Sequence, residues 1–81
     1  MKKVYMYSLS NCIWCRKTKL FFSEHQVPYT FIDYDLADVE TQKSISREID
    51  EAGVSGFPFV NINGEVIVGY KPENYIQALG I

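Results

Sequence analysis

The sequence predicts an α/β fold in which a four-stranded mixed β-sheet carries three helices on its two faces. Three observations predict it: a length of 81 residues, an alternation of β-rich and helical segments, and a strong hairpin signal in the second half. A chain of this length is typical of one domain, so we expect residues 1–81 to form a single domain. With 47% hydrophobic and 15% aromatic residues, the composition predicts a packed core rather than a disordered chain.

The first three elements are predicted to be a strand, a helix and a second strand. Residues 3–8 and 29–34 are rich in β-branched and aromatic side chains, which favour strands. Between them, apolar or small residues recur at helical spacing over residues 13 to about 25. Ser10 and Asn11 offer helix-start chemistry just before this segment. Because βαβ crossovers are right-handed, we expect the two strands to be parallel neighbours.

A second helix is predicted over residues 38–52. Its apolar residues Ile45, Ile49 and Ala52 follow one another at i, i+4 and i+7, with charged residues elsewhere. This spacing indicates a surface helix with one buried stripe. Gly53 is a typical C-terminal stop.

The clearest local signal in the chain is a β-hairpin. Two β-rich runs, residues 58–62 and 65–69, flank the dipeptide Asn63-Gly64. Asn-Gly favours a type I′ turn and therefore antiparallel strands. The hairpin has to join the same sheet in order to bury its apolar face.

A last helix is predicted to begin at Pro72 and to end at Gly80, because proline suits the first helical position. We expect its residues Tyr75, Ile76 and Leu79 to face inward. The remaining large aromatic residues are expected in the core or half-buried on the sheet: Tyr5, Tyr7, Phe21, Phe22, Phe31 and Phe59.

The charge and hydropathy of the chain exclude several classes of protein. A formal net charge of −2 gives no general attraction to nucleic acid or to an anionic membrane. The apolar stretch after Lys2 and Lys3 is too short for a signal peptide, and no run approaches the roughly 18 apolar residues of a membrane span. We therefore expect a cytoplasmic protein that contacts neither membranes nor nucleic acid, with a monomer as the default state.

Cys12 and Cys15 are the only cysteines, and their spacing indicates chemistry rather than a structural crosslink. A disulfide that closes so small a ring stabilises a fold little. At a helix N-terminus, free N–H groups and the helix dipole favour the thiolate at Cys12, and Cys15 follows one turn later. A structural zinc site needs four ligands, whereas the chain has two cysteines and one histidine, so we expect no metal site.

Three segments in this order resemble the glutaredoxin family. They are the Cys-x-x-Cys after the first strand, Gly56-Phe57-Pro58 at the start of the hairpin, and the run from Val68 to Glu73 before the last helix. The resemblance covers essentially the whole chain and implies the thioredoxin fold. It also implies a thiol–disulfide oxidoreductase of the dithiol glutaredoxin or ribonucleotide-reductase redoxin type, in which Cys12 attacks and Cys15 resolves.

The resemblance also implies a substrate-binding surface. In the family, the proline at the position of Pro58 is cis and lies against the dithiol, and the residue before it offers backbone groups to an extended substrate. An ordinary trans proline at the start of an edge strand is the alternative. Trp14 is expected either to contact partners or to pack against its own helix and Tyr70. The expected substrate-binding residues are Trp14, Phe57, Pro58, Gly69, Tyr70 and Lys71.

Two departures from typical glutaredoxins concern the electron donor. Glutathione-using members carry a lysine where this chain has Leu9, and a double glycine followed by aspartate where it has Gly69 to Pro72. This pattern is closer to redoxins that serve ribonucleotide reductase and draw electrons from a thioredoxin reductase. We expect no bound cofactor, glutathione or a thioredoxin reductase as electron donor, and disulfide-containing partners such as a reductase or ribonucleotide reductase.

An alternative function follows from the two residues between the cysteines. Ile13 and Trp14 stand where many glutaredoxins have Pro-Tyr, and family members without that proline sometimes hold an iron–sulfur cluster between two chains. Two thiolates from each chain would complete a four-cysteine site. The alternative is therefore a cluster-binding or cluster-carrying module.

Overall fold

The computed structural model describes residues 3–81, so Lys2 of the N-terminal segment discussed above lies outside the described residues. The regular elements are β1 (Val4–Ser8), α1 (Ile13–Glu24), β2 (Thr30–Asp33), a short 3-10 helix (Tyr34–Leu36), α2 (Val39–Glu51), β3 (Phe59–Ile62), β4 (Glu65–Val68) and α3 (Pro72–Leu79). The strand order is β2-β1-β3-β4, with β1 and β2 parallel and the other two pairs antiparallel. The predicted four-stranded mixed sheet with three α-helices is confirmed.

The hairpin between β3 and β4 forms as predicted. Asn63 and Gly64 have φ angles of 52° and 96°, and positive values at both central positions are what a type I′ turn requires. The side chain of Asn61 accepts a hydrogen bond from the Gly64 N–H at 2.8 Å. The turn therefore sets a register in which Ile62 pairs with Glu65.

The principal core lies on the sheet face that is covered by α1 and α3. Because side chains alternate along a strand, Val4, Met6 and Ser8 of β1 all point to this face and are buried. The core cluster consists of Val4, Met6, Cys15, Phe21, Phe22, Val60, Ile62, Ile67, Tyr75 and Leu79. One of the two cysteines is thus part of the packing that holds α1 on the sheet.

The opposite face of the sheet is attached to α2 through a shared carboxylate. The hydroxyl of Tyr7 donates to Glu48 Oε1 at 2.6 Å, and the hydroxyl of Tyr5 donates to Glu48 Oε2. Burial and these hydrogen bonds raise the pKa of Tyr5 to about 12 and the pKa of Tyr7 well above its ordinary value. Tyr7 also stacks on Phe59, with ring centroids 5.5 Å apart. One glutamate therefore links α2 to two positions of β1.

Replacing Glu48 is expected to destabilise the fold. Glu48→Ala leaves two half-buried tyrosine hydroxyls without their acceptor, and we expect the free energy of unfolding to fall by about 1–3 kcal/mol. Urea unfolding measures this loss. Glu51→Ala, which removes an exposed carboxylate from the same helix, serves as the control and should change stability by no more than about 0.5 kcal/mol. Equal effects of the two substitutions would contradict a structural role for Glu48.

The same tyrosines predict a loss of stability in alkali. Their pKa values are higher in the folded state than the ordinary value of about 10, so the unfolded chain releases these protons first. The contribution is fully present below about pH 10 and is lost as the pH rises through the folded-state values. Urea unfolding above pH 10 should show this decline, and the decline should be smaller in the Glu48→Ala variant.

Several details of the sequence prediction were wrong for reasons of position in the sheet. Phe31 is 47% exposed because β2 is an edge strand with a neighbour on one side only, and the Lys19 ammonium lies over its ring at 3.8 Å. Ile76 was expected to face inward but is 37% exposed, because Tyr75 and Leu79 occupy the sheet-facing side of the short α3. Ala52 ends α2 as an exposed C-cap rather than continuing its buried stripe.

Tyr34 belongs to the 3-10 helix rather than to the preceding strand. Its backbone carbonyl accepts a hydrogen bond from the Ala37 N–H, which closes that turn. Within residues 3–81, none of the helices is both long enough and apolar enough to span a bilayer.

Candidate active site

The dithiol lies at the start of α1, where Cys12 itself is the N-cap residue. Cys12 has an extended backbone (φ −138°, ψ 114°), and its Sγ accepts a hydrogen bond from the Cys15 N–H at 3.2 Å. The expected cap by Ser10 or Asn11 is therefore wrong, and the Ser10 hydroxyl instead donates to Asp35 Oδ2 while its backbone N–H donates to Asp35 Oδ1 at 2.8 Å. A free helical N–H group directed at Sγ stabilises negative charge on that sulfur.

Cys15 occupies a very different environment. It is only 1% exposed and belongs to the core cluster, whereas Cys12 is partly exposed. Burial, together with the hydrogen bond to Cys12, raises the pKa of the Cys15 thiol well above its ordinary value. Cys15 is therefore protonated and shielded at neutral pH, while Cys12 can be reached from solvent. The two thiols differ in exposure in the order that was predicted.

A shallow groove lies against Trp14, the residue that precedes Cys15. Its volume is about 250 Å³, and it is lined by Trp14, Phe57, Gly69 and Tyr70. These are four of the six residues that the sequence assigned to substrate binding. Trp14 is 52% exposed and stacks on Tyr70, with ring centroids 6.1 Å apart and planes inclined by 22°. The expected packing of Trp14 on Tyr70 is therefore confirmed, while its contact with partners stays a prediction that the exposed half of the ring permits.

The other two residues assigned to substrate binding, Pro58 and Lys71, do not line the groove but follow lining residues in the chain. Pro58 is buried, follows a cis peptide bond, as expected, and accepts a hydrogen bond from the Gly69 N–H at 2.9 Å. Lys71 is exposed at the N-terminus of α3. Gly69 has a φ of 96°, a conformation that favours glycine. The Gly69 loop is thus held against the Phe57–Pro58 segment.

Exposed basic side chains follow the dithiol on α1. The Lys17 ammonium lies 5.0 Å from the centre of the Trp14 ring, and Arg16 is exposed on the same helix. Lys19 differs, because it pairs with Asp33 at 3.3 Å. The groove therefore has positive charge at its edge although the chain as a whole is negative.

Two buried hydroxyls behind the groove were missed by the sequence analysis. Tyr75 was expected in the core, but its hydroxyl donates to the Gly69 carbonyl at 2.5 Å. Thr18 Oγ1 lies 3.1 Å from the Tyr75 hydroxyl oxygen. Helical periodicity indicated which residues face inward, but it carries no information about which polar atoms meet across the core.

Comparisons with known proteins agree with this architecture. The family model for glutaredoxin matches residues 4–67. The chain is 33% identical over 66 residues to an uncharacterized glutaredoxin-like 8.6 kDa protein of the rubredoxin operon of Clostridium pasteurianum, covering 82% of this chain and 83% of that protein. It is 24% identical over 70 residues to the glutaredoxin-like protein NrdH of Lactococcus lactis subsp. lactis strain IL1403, covering 86% and 90%.

The fold is also similar to that of a glutaredoxin of known structure. The crystal structure of the glutaredoxin from Methanosarcina mazei Go1 superposes with a TM-score of 0.87 at 34% identity, covering 98% of this chain and 79% of that one. Sequence and structure together show that the chain belongs to the glutaredoxin family, within the thioredoxin superfamily, whose chemistry is thiol–disulfide exchange.

Proposed function

We propose that this protein is a dithiol oxidoreductase that reduces disulfide bonds of other proteins, with Cys12 as the nucleophile and Cys15 as the resolving thiol. The observation that carries the proposal is the inequality of the two sulfurs. Cys12 is accessible and accepts a hydrogen bond from the helix N-terminus, while Cys15 is buried one turn behind it. A pair in which both thiols were exposed and alike would give no direction to the reaction.

The reaction proceeds in two exchanges. The Cys12 thiolate attacks one sulfur of the substrate disulfide, the substrate S–S bond breaks, and the other substrate sulfur leaves as a thiolate that takes up a proton. Cys15 then loses its proton and attacks Cys12 Sγ, which forms the Cys12–Cys15 disulfide and releases the substrate as a dithiol. Two electrons pass to the substrate, and an external donor must return two electrons to the protein.

The groove supports docking of an extended substrate segment beside Cys12. Trp14 and Tyr70 supply aromatic surface of the kind that dominates protein interfaces, and the Phe57 backbone is available next to buried Pro58. Lys17 and Lys71 add positive charge at the edge of the groove. These features favour substrates with apolar and acidic residues next to the disulfide.

For the electron donor we propose a thioredoxin reductase in preference to glutathione, and for the acceptor a disulfide-containing enzyme such as ribonucleotide reductase. The relation to a protein of the NrdH type supports this assignment. Leu9 supports it as well, because leucine at this position supplies no cation that could bind a carboxylate of glutathione. A monomer in the reducing environment of the cytoplasm suits this role.

The alternative of an iron–sulfur module is less well supported. A four-cysteine cluster would need both thiolates from each of two chains, and Cys15 is 1% exposed inside the core. A second chain could reach Cys15 only if α1 moved away from the sheet.

The reductase activity can be tested with insulin as a model protein disulfide. Catalytic amounts of the protein should accelerate the reduction of insulin by dithiothreitol, measured as the turbidity of the precipitating B chain. A variant with both Cys12→Ser and Cys15→Ser should give only the rate of dithiothreitol alone. A wild-type protein with two titratable thiols and no acceleration would contradict the proposed function.

A further inference from the structure

A chain of polar contacts connects the dithiol turn to the far wall of the groove. Thr18 Oγ1 lies 3.0 Å from the Trp14 carbonyl oxygen and 3.1 Å from the hydroxyl oxygen of Tyr75. The Tyr75 hydroxyl in turn lies 2.5 Å from the Gly69 carbonyl oxygen. Thr18 and Tyr75 are both 0% exposed. Their polar atoms can therefore be satisfied only by one another and by these two carbonyls.

Counting protons assigns a direction to this chain. The two hydroxyls carry two protons, but there are three contacts. The Trp14 carbonyl already accepts the backbone N–H of Thr18 within α1, so it loses least without the hydroxyl proton. Because Tyr75 donates its proton to the Gly69 carbonyl, the 3.1 Å contact between the two hydroxyls is a hydrogen bond only with Thr18 as the donor, and the Thr18 proton is then shared with the Trp14 carbonyl.

Burial raises the pKa of Tyr75 above its ordinary value, so this hydroxyl keeps its proton at physiological pH. It is therefore a permanent donor to the Gly69 carbonyl. On its other side, the Gly69 N–H donates to the Pro58 carbonyl at 2.9 Å. The peptide groups on both sides of Gly69 are thus fixed, and the adjoining Tyr70 ring is held where it stacks on Trp14.

We propose that Tyr75 is a positioning residue whose hydroxyl, oriented by Thr18, holds the Gly69–Tyr70 wall of the groove in register with the dithiol helix. Tyr75 touches neither cysteine in this role and acts through the wall it anchors. The effect on substrate binding rests on the proposed function, in which this groove receives the protein disulfide. The anchoring of Tyr70 against Trp14 does not depend on it.

The hydroxyl can be separated from the aromatic ring. Tyr75 packs against Phe21 and Phe22 with centroid distances of 5.4 Å in both cases. Tyr75→Phe keeps these ring contacts and removes only the two hydrogen bonds. Thr18→Val removes the orienting hydroxyl at nearly constant volume, and Thr18→Ser retains it.

The first measurement uses fluorescence. Trp14 is the only tryptophan in the chain, so its quenching by acrylamide reports directly on the stacking against Tyr70. We expect quenching to increase in Tyr75→Phe and Thr18→Val, and to stay at the wild-type level in Thr18→Ser. Circular dichroism under the same conditions verifies that each variant is folded.

The second measurement uses insulin reduction. We expect Tyr75→Phe to raise KM about fivefold, the factor that corresponds to one net hydrogen bond of about 1 kcal/mol, with kcat changed by less than about twofold. The rate of Cys12 alkylation by iodoacetamide, a reagent too small to need the groove, should stay within the same twofold range.

Two results would overturn the positioning role. One is unchanged quenching and unchanged KM in a folded Tyr75→Phe variant, which would mean that only the ring matters. The other is an equal loss in kcat and in alkylation rate, which would indicate a general loosening of the helix. If the wild-type protein itself failed to reduce insulin, the proposed function would fall, while the quenching series would still decide whether Tyr75 anchors the wall.

Discussion

Replacing Cys12 by serine is expected to abolish disulfide reduction, whereas replacing Cys15 is expected to trap the substrate on the protein. Loss of the attacking thiolate should lower the rate by at least about a thousandfold, since a catalytic nucleophile has no substitute. Without Cys15, the first exchange still occurs and the mixed disulfide with Cys12 persists. A non-reducing gel and intact mass spectrometry should show a one-to-one adduct with the substrate protein.

The burial of Cys15 decides how this experiment is controlled. Serine at a position only 1% exposed introduces a polar hydroxyl into the core, so Cys15→Ala, which is apolar and small, is the matched variant. Cys15→Ser and Cys15→Ala should both form the adduct with the substrate, and Cys12→Ser should form none. Limiting iodoacetamide near pH 6, followed by peptide mapping, should label Cys12 of the wild-type protein first. Equal trapping by the Cys12 and Cys15 variants, or earlier labelling of Cys15, would contradict the assigned direction.

The second large effect concerns the source of electrons. The oxidised protein should be reduced at least about tenfold faster by NADPH and a thioredoxin reductase than by millimolar glutathione with NADPH and glutathione reductase. Leu9 cannot bind a carboxylate, and Pro72 stands where glutathione-using relatives have an acidic side chain. Each missing charge-assisted hydrogen bond costs about 1.5–3 kcal/mol, which is a factor of ten or more. The exposed Lys71 leaves room for residual glutathione activity.

A substitution that restores the missing cation sharpens this comparison. Leu9→Lys should raise the rate with glutathione and leave the rate with thioredoxin reductase less affected. Leu20→Lys, which adds the same charge at an exposed position of α1 about 12 Å along the helix from Cys12, is the control and should change neither rate. NADPH oxidation measures both couples on one disulfide substrate. Efficient reduction by glutathione together with an inert thioredoxin reductase would make the protein an ordinary glutathione-dependent glutaredoxin.

Features that depend on a few consecutive residues were predicted from the sequence. The Asn63-Gly64 turn formed because positive φ angles at two adjacent positions are a local requirement. The position of Cys12 at a helix N-terminus followed from the β-rich run before it and the helical spacing after it. The parallel pairing of the first two strands was predicted from the handedness of the crossover, and the place of the hairpin in the same sheet from its need to bury an apolar face, whereas the structure decided which edge the hairpin joins.

The chemical inequality of Cys12 and Cys15 was foreseen in direction, but its cause is tertiary. In an isolated helix the Cys15 side chain would be exposed to solvent. Packing of α1 on the sheet reduces its exposure to 1%. Phe31 shows the opposite effect: its side chain stays exposed because its edge strand lacks a second neighbouring strand. Burial is a property of the assembled layers, and the hydrophobic pattern of one segment cannot report what covers it.

The sequence by itself thus determined the four strands and three α-helices, their order along the chain and the dithiol, and its resemblance to a family indicated four residues of the groove, because each depends on local backbone chemistry or on a motif. Only the tertiary structure decided which polar groups meet. Thr18 and Tyr75 are 57 positions apart, and Tyr5 and Glu48 are 43 apart. Such contacts form only after the helices have docked on the sheet, and their geometry depends on the register of every element between them. The anchoring of the groove wall by Tyr75 is therefore a property of the fold.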